Sequence, residues 1–186
     1  MPERYSIDQY VEDLRRITAN CDDESEVIAK VSPLAQRMAA DGSWLEDRFF
    51  HPDSEVGFSS FLLHEEEDHS LAVIAVSWAP GMMVVPHDHG TWAVVVGVEG
   101  IDRNIRYKRL DDRTNPEYAK LAIKEEMNAG PGDLVCMRTE GIHSVHNDGE
   151  TVTLSFHTYG VHLNHVKRHQ FDLSNNIAKD FKVYMQ

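Results

Sequence analysis

The stretch GMMVVPHDHGTWAVVVGVEG, residues 81–100, decides how the chain is read. Its second half, residues 91–98, is a valine-rich run with the residue preferences of a strand. Its middle holds His87-Asp88-His89, which follows a strand and a proline-terminated turn. On an extended segment, residues two apart project to the same side. His87 and His89 therefore present their imidazoles together, as two metal ligands require. Working outward, further period-two segments lie at 58–63, 71–77, 104–110, 120–126, 133–138 and 151–159, with a later pair at 165–171 and 180–184. Ala79-Pro80-Gly81, Asp111-Asp112, the run 128–133 and Asn147-Asp148-Gly149 supply turns between them. Short strands in that number, with no helices between, predict an all-β sandwich or barrel.

The first fifty residues carry a different period. Ser6 and Gln9 have capping-box spacing, and Ile7, Tyr10, Val11, Leu14 and Ile17 follow at helical intervals. Val27, Ile28, Val31, Leu34 and Met38 mark a second helical stripe; Pro33 inside it makes it either one kinked helix or two short ones. Gly42 is placed to stop it. Residues 1–50 are expected to pack as helices on the outside of a barrel formed by 51–186, the whole being one structural unit.

The 186 residues include 18 Lys and Arg against 31 Asp and Glu, a formal charge of −13. That balance argues against binding nucleic acid or an anionic membrane through non-specific phosphate attraction. Cys21 and Cys136 are too few and too far apart for a disulfide framework and read as reduced thiols. The polar N-terminus has no apolar signal-peptide core, and no apolar run approaches a membrane span. A cytoplasmic protein is expected, as a monomer or homodimer. Histidine is the outlier, with eleven residues unevenly spread.

Gly81, His87, His89, Ala93 and Gly100 have the spacing of the first cupin motif, and Gly132, His143 and Asn147 resemble the second. The chain thus resembles the cupins, whose fold is a double-stranded β-helix, or jelly-roll barrel. Ala93 stands where the pattern usually has a glutamate ligand, while Arg138 and Glu140 replace a usual proline and glycine. The expected metal ligands are His87, His89 and His143, with no carboxylate. Three neutral imidazoles leave a divalent ion its full charge, which favours an anionic donor such as a thiolate; such ligands suit Fe, Cu, Ni or Zn.

Within the cupins the chain resembles the cysteine dioxygenase family of thiol dioxygenases, including the 3-mercaptopropionate dioxygenases. The likeness is carried by PHDHGTW at 86–92, GIHSVHN at 141–147 and SFHTYG at 155–160, with weaker likeness at 62–65 and 167–169. It implies a mononuclear Fe(II) site that adds O2 to the sulfur of a small thiol, giving a sulfinate. It also implies a hydrogen-bonded triad of Ser155, His157 and Tyr159, with Tyr159 donating to the reacting atoms. Alternation along one strand would put those three side chains on one inward face. Ala93 takes the position of the cysteine that some relatives cross-link to the tyrosine, so no cross-link is expected. Ser60 falls where relatives carry an Arg or Gln for the substrate carboxylate. Arg168 either replaces that function or is a solvated surface residue. Trp92 is expected in the wall of the substrate site, and Met82 and Met83 at its mouth or as core filler.

Two rival readings remain at this level: another metal-dependent cupin enzyme acting on a small polar acid, or a cupin that binds a small ligand without turnover. His146 reads as a neighbour of the site or a surface residue. His162, His165 and His169 read as ordinary surface histidines, and the acidic run 65–68 as a solvated turn.

Overall fold

The capping box at Ser6 forms as its spacing predicts. In the computed structural model, which describes residues 4–182, the Ser6 hydroxyl accepts from the Gln9 N–H at 3.2 Å and the Gln9 side chain accepts from the Ser6 N–H at 2.9 Å. This starts α1, Ile7–Thr18, whose Tyr10, Val11 and Leu14 are buried. α2, Glu24–Asp41, runs unbroken through Pro33 and stops at Gly42, whose φ of 67° is left-handed. Pro33 and Ala29 both lie on the exposed side of α2, so the carbonyl left without an N–H partner can face water. Val27, Val31, Ala35 and Met38 line the opposite, buried side.

Eleven strands follow among the described residues: β1 Phe58–Glu65, β2 Ala72–Trp78, β3 Met83–Asp88, β4 Ala93–Glu99, β5 Asp102–Arg109, β6 Leu121–Ala129, β7 Leu134–Met137, β8 Ile142–His146, β9 Thr153–Tyr159, β10 His169–Asp172 and β11 Ile177–Asp180. They make two antiparallel sheets. One has the order β1-β2-β9-β4-β7, the other β11-β10-β3-β8-β5-β6.

The first sheet is covered on both faces. Val73, Ala75, Val94, Val96, Leu154 and Phe156 pack against the helices. Ala72, Ile74, Val76, Ala93, Val95 and Tyr159 turn the other way, into the space between the sheets. β9 shows the rule within one strand: Phe156 and Thr158 meet Tyr10 on the helix side, while Ser155, His157 and Tyr159 face inward.

The strands depart from expectation in two places. β3 and β8 are strands, although the period-two pattern marks no segment at 83–88 or 142–146. Pro86 disguises β3: the pairing of β3 with β8 shifts register between Val84 and His87, so the ring sits at an irregularity where no ladder bond is required of it. The expected final pair at 165–171 and 180–184 is instead β10 and β11; residues 183 and 184 lie outside the described residues. No helix among the described residues is long and apolar enough to cross a membrane.

Candidate metal centre and its cavity

β3 and β8 bring the expected ligands together. His87 and His143 are direct partners in the ladder between these strands, and His89 lies just beyond the end of β3. Ring centroids are 4.6 Å apart for His87 and His143, and 5.1 Å for His89 with each of the others. One potential ligand atom from each residue lies within 4.8 Å of the other two, and all three side chains are buried.

Two of the rings have assigned orientations. The Nδ1–H of His87 donates to the Val85 carbonyl at 2.9 Å, and the Nδ1–H of His143 donates to Asn104 Oδ1 at 3.1 Å. Each bond leaves the lone pair on Nε2 free, as a metal ligand needs. His143 Nε2 and His89 Nδ1 are buried without any hydrogen-bond partner, an unfavourable state for polar atoms.

Burial also keeps the rings uncharged. It lowers the His87 pKa to about 4, with the Arg168 cation adding to the shift. Burial, and then the neighbouring imidazoles, push His89 and His143 well below the ordinary value. Neutral, clustered imidazoles, two of them with a buried nitrogen that has no partner, fit a divalent transition ion, and three nitrogen donors suit several such ions.

Facing this cluster across the sandwich is a chain of hydrogen bonds along β9. Ser155 Oγ lies 2.8 Å from His157 Nε2, and His157 Nδ1 lies 2.7 Å from the Tyr159 hydroxyl. The Tyr159 and His89 rings stand edge to face at 5.3 Å. Burial lowers His157 to about 3 and raises Tyr159, so both are neutral at pH 7. Tyr159 is paired across the ladder with Ala93, which has no group to bridge to its ring.

The histidines open into a cavity of about 260 Å³. Phe58, Met82, Val84 and Leu163 give it apolar walls, and Ser60 and Tyr159 also line it. Arg168 reaches it from the segment after β9. Only 4% exposed, it is not the solvated residue that its position in a Lys-Arg pair allowed. Its Nε is buried without a partner, and its guanidinium lies 4.6 Å from the Phe181 ring centroid. Among the described residues it is the one charged side chain on the wall that is always ionised.

Trp92 does not share this cavity. Alternation along β4 sends Ala93 and Val95 inward, and Trp92 falls with Val94 and Val96 in the core beneath the helices. Met82 and Met83 do line the cavity. His146 is half-buried and its Nε2 lies 2.9 Å from Ser144 Oγ.

His162 is buried rather than a surface residue, and His169 bonds to Asp88 through both its N–H and its ring. Sequence pattern does not single out Asn104 or Phe181. A polar residue on an inward face of a candidate strand is the available signal for Asn104; nothing local points to Phe181.

No family model matches the sequence. Similar solved structures include an 11S globulin from Wrightia tinctoria, at 10% identity and a TM-score of 0.51, covering 69% of this chain and 31% of that one. A recombinant oxalate oxidase in complex with glycolate is 17% identical over 59% of this chain, with a TM-score of 0.46. A cupin domain of an XRE-family transcriptional regulator from Enterobacter cloacae is 16% identical over 55% of this chain and 95% of that domain, with a TM-score of 0.40. The chain spans about half, 53%, of the length of the oxalate oxidase it matches. At these identities the globulin likeness speaks for the fold alone, and the other two, with lower scores, add nothing to it. The fold is a cupin jelly roll with two N-terminal helices, and it encloses a buried three-histidine cluster able to hold a metal ion.

Proposed function

We propose that the protein is a mononuclear non-haem Fe(II) thiol dioxygenase. The reaction is RS⁻ + O2 → RSO2⁻: both oxygen atoms join the sulfur, which is oxidised as O2 is reduced, with no external reductant. One observation carries the reading. A single cavity gathers three neutral imidazoles, a tyrosine hydroxyl held by His157 and Ser155, and a buried arginine, with no carboxylate among them.

His87, His89 and His143 would hold the iron, which when bound supplies the Lewis acidity and redox chemistry for thiolate formation and O2 reduction. The chain's own side chains bind and orient the substrate. Arg168 offers a planar fork for a substrate carboxylate, and Ser60 can add a hydrogen bond but no charge. Among the described residues no acidic side chain lines the cavity. An α-ammonium group would therefore enter a low-dielectric space beside Arg168 without a counter-charge. This favours a 3-mercaptopropionate-like acid over cysteine. The apolar walls limit the water that competes for the substrate.

The hydrogen bonds of the β9 triad can run in either direction with every group neutral. In one setting Ser155 donates to the Val76 carbonyl, 3.5 Å away. His157 Nε2–H then donates to Ser155, and His157 Nδ1 accepts from Tyr159. In the other, Ser155 donates to His157 Nε2 and His157 Nδ1–H donates to the Tyr159 oxygen, which frees the phenolic O–H for substrate or O2.

Oxygen uptake by the iron-loaded protein against cysteine, 3-mercaptopropionate, cysteamine and mercaptosuccinate tests the reading. The expected result is the highest kcat/KM with 3-mercaptopropionate, with one sulfinate formed per O2. Absence of uptake with every thiol would return the protein to the rival readings, a cupin of different metal chemistry or a binder without turnover.

A further inference from the structure

A second cluster of metal-ligating side chains lies outside the cavity, where sequence pattern alone suggests a solvated acidic turn and surface histidines. Glu65 ends β1, and His69 lies on the turn to β2. His162 and His165 lie on the loop after β9. The Glu65 Oε1 atom is 2.6 Å from His69 Nδ1, 3.6 Å from His162 Nδ1 and 3.8 Å from His165 Nε2. The potential ligand atoms of Glu65, His69 and His165 all lie within 4.8 Å of one another.

The charges around Glu65 are as informative as the distances. Its neighbour Glu66 is neutralised by Arg15 at 2.7 Å. Among the described residues, by contrast, the ion-pair partners of Glu65 are all imidazoles. A half-buried carboxylate thus faces three rings that carry no permanent charge, two of them stacked at 3.4 Å and 7° from parallel. Ligands at about 2.0–2.1 Å in a tetrahedron stand about 3.3 Å apart. The two separations from Glu65 bracket that value, and the exposed His165 ring would have to turn out of its parallel stack on His69 for the lone pairs to converge.

We propose that Glu65, His69 and His165 form a second divalent-metal site of the zinc class, with water able to complete the coordination. The ion would tie the loop after β9 to the β1–β2 hairpin. The His162 N–H already donates to the His69 carbonyl at 3.0 Å, and the His165 N–H donates to the His162 carbonyl at 2.8 Å, so the backbone is joined where the ligands converge. The same loop carries Leu163, with Arg168 close behind, to the cavity wall. The site therefore fixes the segment that shapes the cavity, and it does so whatever reaction takes place there.

Zinc titration of the metal-free full chain by calorimetry, with bound zinc counted after gel filtration, tests the proposal. The wild type should bind two equivalents. His165→Ala, at a side chain 44% exposed and so unlike a core change, and Glu65→Gln should each weaken one equivalent by at least about 100-fold, more than loss of an outer partner usually costs. His143→Ala should lose the other equivalent and keep this one. Identical zinc binding in wild type, His165→Ala and Glu65→Gln would overturn the proposal. So would loss of all zinc from His143→Ala. A wild type that binds a single equivalent, lost in His165→Ala and kept in His143→Ala, would instead count against the three-histidine centre.

Discussion

Each imidazole of the cluster is kept neutral by burial, and that has a measurable sign. A histidine whose pKa is lower in the folded than in the unfolded chain takes up a proton on unfolding. It therefore contributes stability that is complete above its ordinary value, near 6.5, and is lost as the pH falls toward the folded value. His87, at about 4, and His157, at about 3, set the lower ends of that window; His89 and His143 add in the same direction. Asp102, raised to about 6 by burial, acts oppositely, but it is one group against four. The metal-free protein should have a clearly lower urea midpoint at pH 5 than at pH 7.5, and a pH-independent midpoint would contradict the buried neutral cluster. Two further expectations belong to single side chains. Arg168→Gln should lower kcat/KM for 3-mercaptopropionate by roughly 10–100-fold, the value of a charge-assisted hydrogen bond, while leaving cysteamine, which has no carboxylate, nearly unchanged; an equal loss for both would remove Arg168 from carboxylate binding. Tyr159→Phe should retain iron while slowing sulfinate formation by about 100-fold, and an unaltered rate would exclude the phenol from the chemistry. At this scale the sequence is most legible where alternation along one strand does the sorting, as for Ser155, His157 and Tyr159. It is least legible for Arg168, because a Lys-Arg pair looks the same whether it is solvated or buried by distant Phe181.

At the level of elements, the site depends on β3 and β8 lying side by side, so that His87 and His143 meet in register. Neither reads as a strand from local pattern. Pro86 masks the first, and the second is a five-residue segment that becomes a strand through its neighbours β3 and β5. Its ligand histidine is nevertheless visible, because motif spacing survives where local propensity is weak. Gly90 supplies the corresponding test of packing between elements. Its φ is 65°, and a Cβ there would collide with the backbone of Lys167, the residue immediately before Arg168. Gly90→Ala should therefore displace the segment carrying Arg168, raising KM for the acid substrate well before iron is lost. Unchanged KM with full activity would show that this close approach does not position the arginine. Trp92, just before β4, shows the same logic in reverse: one step along the chain moves a side chain from the space between the sheets to the helix side.

For the molecule as a whole, the helices and sheets divide the labour. α1 and α2 cover the outer face of one sheet with an apolar core, reinforced by the Tyr10 and Thr158 hydroxyls at 2.6 Å. That leaves the inner faces free to carry polar residues around a cavity. The all-β architecture with N-terminal helices is legible from the change of hydrophobic period near residue 56. The Glu65, His69 and His165 cluster is not, because it joins a hairpin turn to a loop far along the chain. The central claim, oxygenation of a thiol within a three-histidine cupin, is tested most directly by turnover of 3-mercaptopropionate under isotopically labelled dioxygen in ordinary water. The account predicts a sulfinate whose two oxygens both carry the label. A product with oxygen drawn from water, or a disulfide with no sulfinate, would contradict it.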